Sequence, residues 1–353
     1  MAFNKEQLLQ NSAVADLFAI SYCQLCEISY APPSKICSLV PTVKPLGQGA
    51  WQCIWGPAWD AGDANLVFIA SYMEDGIPVL AAVVIRGTDV DISDIWGMLI
   101  QVFEDLFIPI QSQVPWLINS SALVADGTLD ALWTIQNLNY QPPNGQQTTI
   151  SQFLTTYLGA PENEVPVLVV TGHSLGGCLT TLVAPWLQKS LSAANVTNPI
   201  VPTTFAAPTA GNAAFATYFA DNFAYAPRYF NSLDVVPGAW WSLEALDNIY
   251  KPCGISAPDG VELGVWIFDE IMAKAGVTYG QPQTNMTLLK GMCLKGTPDW
   301  YEEGMYQHHV VTYLNLLGGA SITDERLAPV RPRRNRRRPG APPISACLRR
   351  GSR

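Results

Sequence analysis

Two apolar, β-branched runs, NLVFIASYM and IPVLAAVVI, flank the turn signal Glu74-Asp75-Gly76 and predict a β-hairpin. Ahead of them ADLFAISYCQLCEISY reads as a helix, and APPSKICSLVPTVKPLGQGAW as a Pro- and Gly-rich connection. The second run stops abruptly at Arg86-Gly87-Thr88-Asp89, and a long apolar stretch follows to about Trp116. A helix is expected near Asp130 (LDALWTIQNL), then another through Leu158 after a Gln- and Thr-rich passage. VPVLVVTG is continuous and β-branched, the pattern of a strand buried on both faces of a parallel sheet. From there strand VPVLVVTG, helix LGGCLTTLVAPWLQKSL, strand IVPTTFAAP, helix NAAFATYFADNF and strand PRYFNSL alternate as right-handed crossovers do. The pattern predicts a doubly wound α/β fold, with a mostly parallel sheet flanked by helices.

Composition narrows this picture. A chain of 353 residues with 48% hydrophobic content buries a large core. Only 14% of residues are charged, against roughly 25% in an average soluble protein, so much apolar surface is either buried or kept for a greasy ligand. The most apolar stretch, Ile92 to Ile110, is interrupted by Asp94, Glu104 and Asp105, and no run reaches the roughly 18 apolar residues of a spanning helix. No transmembrane span is expected. The N-terminus lacks a basic region followed by an unbroken apolar core, so no secretory signal is recognised, which leaves a cytoplasmic location or export by another route.

Charge is unevenly placed. Ten of the 20 Lys and Arg are arginines from Arg326 onward, leaving the first 325 residues with ten bases against 29 acids, a net charge of −19. An acidic body disfavours nucleic acid and anionic bilayers as partners. Residues 1–325 are read as one domain, and 326–353, rich in Arg and Pro, as a disordered tail. Eight cysteines in so long a chain do not suggest a disulfide framework, and Cys23 and Cys26, on a helix, read as packing. With three histidines and no His or Cys cluster at ligand spacing, no metal or other cofactor is expected.

The chemistry concentrates at Gly172-His173-Ser174-Leu175-Gly176, a G-x-S-x-G set between a buried strand and a helix. Such a turn pushes the serine side chain out at the strand's carboxyl end and needs small neighbours, which Gly172, Gly176 and Gly177 supply. The helix that starts at Leu175 aims its free N–H groups at the same point, where they stabilise an oxyanion. A nucleophilic serine needs a base. His173 sits on the turn itself and should point into the scaffold, so the base is His308 or His309. The orienting carboxylate belongs between serine and histidine in the chain, after a late strand. Asp234, following PRYFNSL in a loop closed by Pro237, fits; Asp221, Glu244, Asp247, Asp259, Glu262, Asp269, Glu270 and Asp299 fall in segments that read as helix or surface loop.

From about Asn65 to Leu317 the chain resembles the class 3 lipases, the fungal-type or Rhizomucor-like triacylglycerol lipases. VVIRGTD resembles that family's oxyanion segment, VTGHSLGG its nucleophile elbow, FAAPTAGNAAF its F-x-A-P-x-x-G-N-x-x-F signature and YFNSLDVVP its acid loop. The resemblance implies an α/β-hydrolase fold, Ser174 as nucleophile, Asp234 as acid, and Thr88 with the Leu175 N–H as oxyanion hole. It also implies His308 rather than His309 as base, since H-x-x-x-x-Y-L matches His308, Tyr313 and Leu314. The chain departs from the family at ALVADGTLDAL, which keeps Gly127 but has Ala125 where the family commonly has histidine.

The reading is a serine ester hydrolase acting through an acyl-enzyme on lipid-like esters, triacylglycerols first, at an interface; peripheral contact with a membrane or lipid droplet stays open. Phospholipase A1 and short-chain esterase are the alternatives, and an inactive interaction module a remote one. Twelve of the nineteen residues from Ile92 to Ile110 are large and apolar, so residues 90–116 are read as a helical lid over an acyl pocket.

Overall fold

Seven strands lie side by side in chain order: β1 (Ala50–Trp59), β2 (Leu66–Glu74), β3 (Ile77–Ile85), β4 (Leu168–His173), β5 (Ile200–Phe205), β6 (Arg228–Asn231) and β7 (Met286–Leu289). The computed structural model describes residues 12–62, 64–88, 95–117, 120–143, 145–163, 165–296 and 298–323. The tail 326–353 and the first part of the lid candidate, 90–94, lie outside them. β1 to β3 form an antiparallel meander, and β3 to β7 are parallel. The hairpin predicted at Glu74 to Gly76 forms, with Asp75 and Gly76 at φ 50° and 80°, the left-handed pair that a tight hairpin twist requires.

The helices are α1 (Ser12–Ile28), α2 (Pro33–Leu39), α3 (Ile95–Asp105), α4 (Asp126–Asn137), α5 (Ile150–Gly159), α6 (Leu175–Ala193), α7 (Ala213–Asn222), α8 (Asp259–Ala275), α9 (Trp300–His308) and α10 (Val310–Leu316). The period-two pleat sorts the strand residues between two cores. Val67, Ile69, Val83, Ile85, Leu168 and Val170 pack with α4, α5, α6 and α7, whereas Phe68, Ala70, Ala82, Val84 and Val169 pack with α1, α2 and α10. The result is an α/β-hydrolase sheet covered on both faces.

A third cluster is built from segments that follow β3 and β6. It contains Ile95, Trp96, Leu99, Val102 and Phe103 of α3, the turns around Val236, Trp240 and Leu246, the inner face of α8, and Trp300. Phe103 stacks on Phe268 at 4.1 Å between centroids, and the Trp96 ring lies where a Cβ on Gly264 would be 2.2 Å away. Helix α3, within the lid candidate, is thus packed into this cap. Phe107 and Ile110, which follow α3 in the chain, are each 52% exposed.

Several elements are absent from the sequence reading, β1, α2 and β7 among them. β1 begins where that reading places the end of a connection, and α2 lies wholly inside it, opening at Pro33 as proline's fixed φ permits. The cysteines also need correction. Cys37 bridges Cys53 and Cys253 bridges Cys293, because the fold brings together pairs 16 and 40 residues apart that no spacing rule joins. Cys23 and Cys26 are free and buried on α1, and burial pushes the Cys26 thiol up to about 12. Among the described residues, one metal-like grouping of His, Cys or carboxylate ligands occurs, Cys253, Cys293 and Glu303, and its two sulfurs are bonded to each other.

Candidate active site

The strand β4 ends at His173 and α6 begins at Leu175, leaving Ser174 alone to turn the chain. It does so at φ 58°, ψ −128°, a left-handed setting that L-residues adopt only when surrounding structure holds them there. What holds it is backbone contact. The Ser174 N–H donates to the Phe205 carbonyl on β5 at 3.0 Å, and Cys178 N–H returns to the Ser174 carbonyl at 3.1 Å. The glycines make room: a Cβ on Gly172 would lie 2.2 Å from the Gly176 carbonyl carbon, and one on Gly176 would lie 2.2 Å from the Ile85 oxygen. Neither obstacle is a movable side chain. Gly172→Ala is therefore expected to destabilise the fold by about 3 kcal/mol, read as a shift in the urea midpoint.

The candidate partners converge on this turn. The Ser174 hydroxyl donates to His308 Nε2 at 2.9 Å, and His308 Nδ1–H donates to Asp234 Oδ2 at 2.9 Å and Oδ1 at 3.1 Å. The tautomer follows from the partner: a carboxylate only accepts, so Nδ1 carries the proton and Nε2 is left free to take one. Asp234 also accepts from the Tyr313 hydroxyl at 2.7 Å and from Val236 N–H at 3.0 Å. His309 is not at the serine. It caps α10, its Nδ1 accepting from Val311 N–H.

Thr88 lies just beyond Gly87, which is pressed against the elbow; a Cβ on Gly87 would fall 2.6 Å from the His173 oxygen and 3.2 Å from Ser174 Cβ. The Thr88 hydroxyl is buried and has no hydrogen-bond partner among the described residues. Leu175 N–H belongs to the first turn of α6, where helix N–H groups have no carbonyl behind them. Ser174, Asp234 and His308 are 5%, 4% and 2% exposed. Solvent hardly reaches them, and Leu175 packs partly against the cap cluster.

Several supporting residues escaped the sequence reading. Tyr313 was seen only as part of a pattern, yet its hydroxyl joins two elements, accepting from Asn231 N–H at 3.0 Å while donating to Asp234. The Asn231 side-chain amide donates to the Gln307 carbonyl and Oε1 at 2.8 and 2.7 Å, tying β6 to the helix that carries His308. The Gln281 amide donates to the Pro237 carbonyl at 2.7 Å and so steadies the acid loop. His173, expected to point into the scaffold, does so, but toward the main chain of His308. Burial, and then the neighbouring His308, hold its pKa well below the usual histidine range. Polar residues flanking the motifs, such as Asn231 and Gln307, were the signal available.

A mostly parallel sheet with helices on both faces and a strained serine elbow at the carboxyl end of β4 defines an α/β-hydrolase. Residues 82–241 match the family described as Lipase (class 3). Over these residues the chain is similar to the class 3 lipases, and it is a carboxylic ester hydrolase of the lipase type. Among solved structures it is similar to the M37 lipase, at 27% identity over 90% of this chain and 99% of that one, with a TM-score of 0.73. It is also similar to the Rhizomucor miehei lipase in its propeptide complex, at 20% identity over 68% and 65% of the two chains, TM-score 0.43. A triacylglycerol lipase from Penicillium expansum aligns at 18% identity over 65% and 73%, TM-score 0.42. No curated protein matches the chain in sequence. Among the described residues no helix is long and apolar enough to cross a membrane.

Proposed function

We propose that this lipase hydrolyses lipid esters, triacylglycerols foremost, with Ser174 as nucleophile, His308 as general base and acid, and Asp234 as the group that orients and stabilises the imidazolium. The observation that carries the reading is the 2.9 Å contact from Ser174 Oγ to His308 Nε2, backed by Asp234. His308 takes the serine proton as Oγ attacks the ester carbonyl. The tetrahedral oxyanion is met by the Thr88 hydroxyl and Leu175 N–H. His308 then protonates the leaving alcohol, and water, activated by the same imidazole, releases the acid from the acyl-serine.

Thr88 is assigned this role because a buried hydroxyl, here with no partner among the described residues, costs stability unless a ligand uses it. Thr88→Val is expected to lower turnover by ~10²–10³-fold, about 3–4 kcal/mol of transition-state stabilisation, while thermal melting shows an intact fold; Thr88→Ser retains more activity. The cap is the proposed lid. With the three side chains almost wholly covered, a substrate acyl chain enters only when α3 and its neighbours part, and Phe107 and Ile110 mark the apolar side that meets the lipid.

The test is hydrolysis of esters of graded chain length, triacylglycerol emulsions and phosphatidylcholine vesicles, with a fluorophosphonate to label the nucleophile. Expected are stoichiometric labelling on Ser174, hydrolysis of the emulsion, and a rate that rises steeply above the substrate's solubility limit. Labelling elsewhere removes the proposed nucleophile. Hydrolysis confined to soluble short-chain esters removes the lipid substrate.

A further inference from the structure

The pair Tyr30 and His173 takes no part in the steps above, yet it touches the base. His173 Nε2 lies 2.9 Å from the main-chain oxygen of His308, and its Nδ1 lies 2.9 Å from Tyr30 Oη. A carbonyl oxygen only accepts, so Nε2 carries the proton. In a neutral ring Nδ1 is then the acceptor, and the Tyr30 hydroxyl donates to it. Burial keeps the ring neutral. Protonating it would place a second cation beside the imidazolium that His308 forms in the reaction, since the two ring centroids are 4.9 Å apart.

The His308 carbonyl needs this partner. His308 is the last residue of α9, and His309 leaves the helical region at ψ 136°, so this carbonyl is among those a helix end leaves without an intrahelical donor. The His173 ring also meets Tyr313 edge-on at 5.7 Å, the tyrosine whose hydroxyl donates to Asp234. One imidazole thus rests against the main chain and ring of the base and against the residue that holds the acid.

We propose that His173 is a positioning residue for His308: held as the neutral Nε2–H tautomer by Tyr30, it fixes the His308 main chain from which the base reaches both Ser174 and Asp234. The inference rests on the reading of those three residues as the reacting set. Its energetic lever is aim, because a misplacement of about 1 Å in a reacting group costs about 10²-fold in rate.

Two substitutions separate the donor from the bulk. His173→Gln keeps an N–H near the Nε2 position, and His173→Leu fills the space without one. Each is labelled to completion with a fluorophosphonate to count active sites, and kcat and KM for p-nitrophenyl butyrate are measured per labelled site. Expected is a fall in kcat of about 10²-fold for His173→Leu with KM nearly unchanged, and recovery of most of it in His173→Gln. Parental kcat per site in the leucine variant, or a glutamine variant no better than leucine, overturns the proposal. Should the leucine variant not fold, ¹⁵N NMR of the unmodified protein decides: His173 must show a protonated Nε2 and a bare Nδ1, and Tyr30→Phe must perturb that Nδ1 resonance. A protonated Nδ1 overturns the proposal. This readout stands whether or not Ser174→Ala retains activity, so failure of the proposal and failure of the reacting-set assignment are told apart.

Discussion

Replacing Ser174 with alanine is expected to lower kcat on every ester substrate by roughly 10⁶-fold, the size seen when the nucleophile of a serine hydrolase is removed and only binding and oxyanion donors remain. At 1.36 kcal/mol per decade that is about 8 kcal/mol of lost transition-state stabilisation. The fold should persist. Alanine is no worse suited than serine to φ 58°, and the elbow is held by main-chain bonds to Phe205 and Cys178 that the substitution leaves in place. Burst titration and steady-state hydrolysis measure the effect together: no acyl-enzyme burst and no turnover above background. A loss of less than tenfold would mean another group attacks the carbonyl.

Asp234→Asn is expected to lower kcat by about 10⁴-fold through the wrong tautomer. Asp234 accepts from His308, Tyr313 and Val236. An asparagine has one accepting oxygen and an NH₂ that only donates. If the NH₂ faces His308, Nδ1 must become an acceptor, the proton moves to Nε2, and the ring no longer takes the serine proton. If the oxygen faces His308, the NH₂ confronts another donor, leaving buried polar groups unsatisfied at about 1–3 kcal/mol. Activity and stability should fall together, read as kcat per labelled site and as the urea midpoint. Tyr313→Phe probes the same carboxylate from its other side and should cost less, because it removes a donor and creates no opposing one.

Much of this architecture was legible because the signals are short-range and redundant. The hairpin at Glu74 to Gly76 follows from two β-branched runs and one turn, and the elbow from a serine set among glycines between a strand and a helix. β1 was not legible. Its register shifts between Cys53 and Trp55 and again between Trp55 and Ala58, and each irregularity breaks the alternation that marks a strand. Pro57 inside it also argues against a strand, except at a sheet edge, where β1 lies. The disulfides depend on contacts between distant segments and leave no local trace. The convergence of Ser174, His308 and Asp234 was legible, since Ser174 and Asp234 each sit in a motif and His308 matches H-x-x-x-x-Y-L. The hydrogen bonds of Tyr30, Asn231 and Gln307 were not, because each joins residues more than 70 positions apart.

Close backbone contact around the elbow also divides the molecule into positions that tolerate redesign and positions that do not. Gly87, Gly172 and Gly176 face main-chain atoms at distances no added carbon fits, so randomising them would yield almost only misfolded protein. The cap meets itself chiefly through side chains such as Trp96, Phe103 and Phe268, whose shapes can be traded against one another. A mutational library aimed at new ester selectivity should therefore spend its diversity on α3 and α8 and keep the floor beneath them constant.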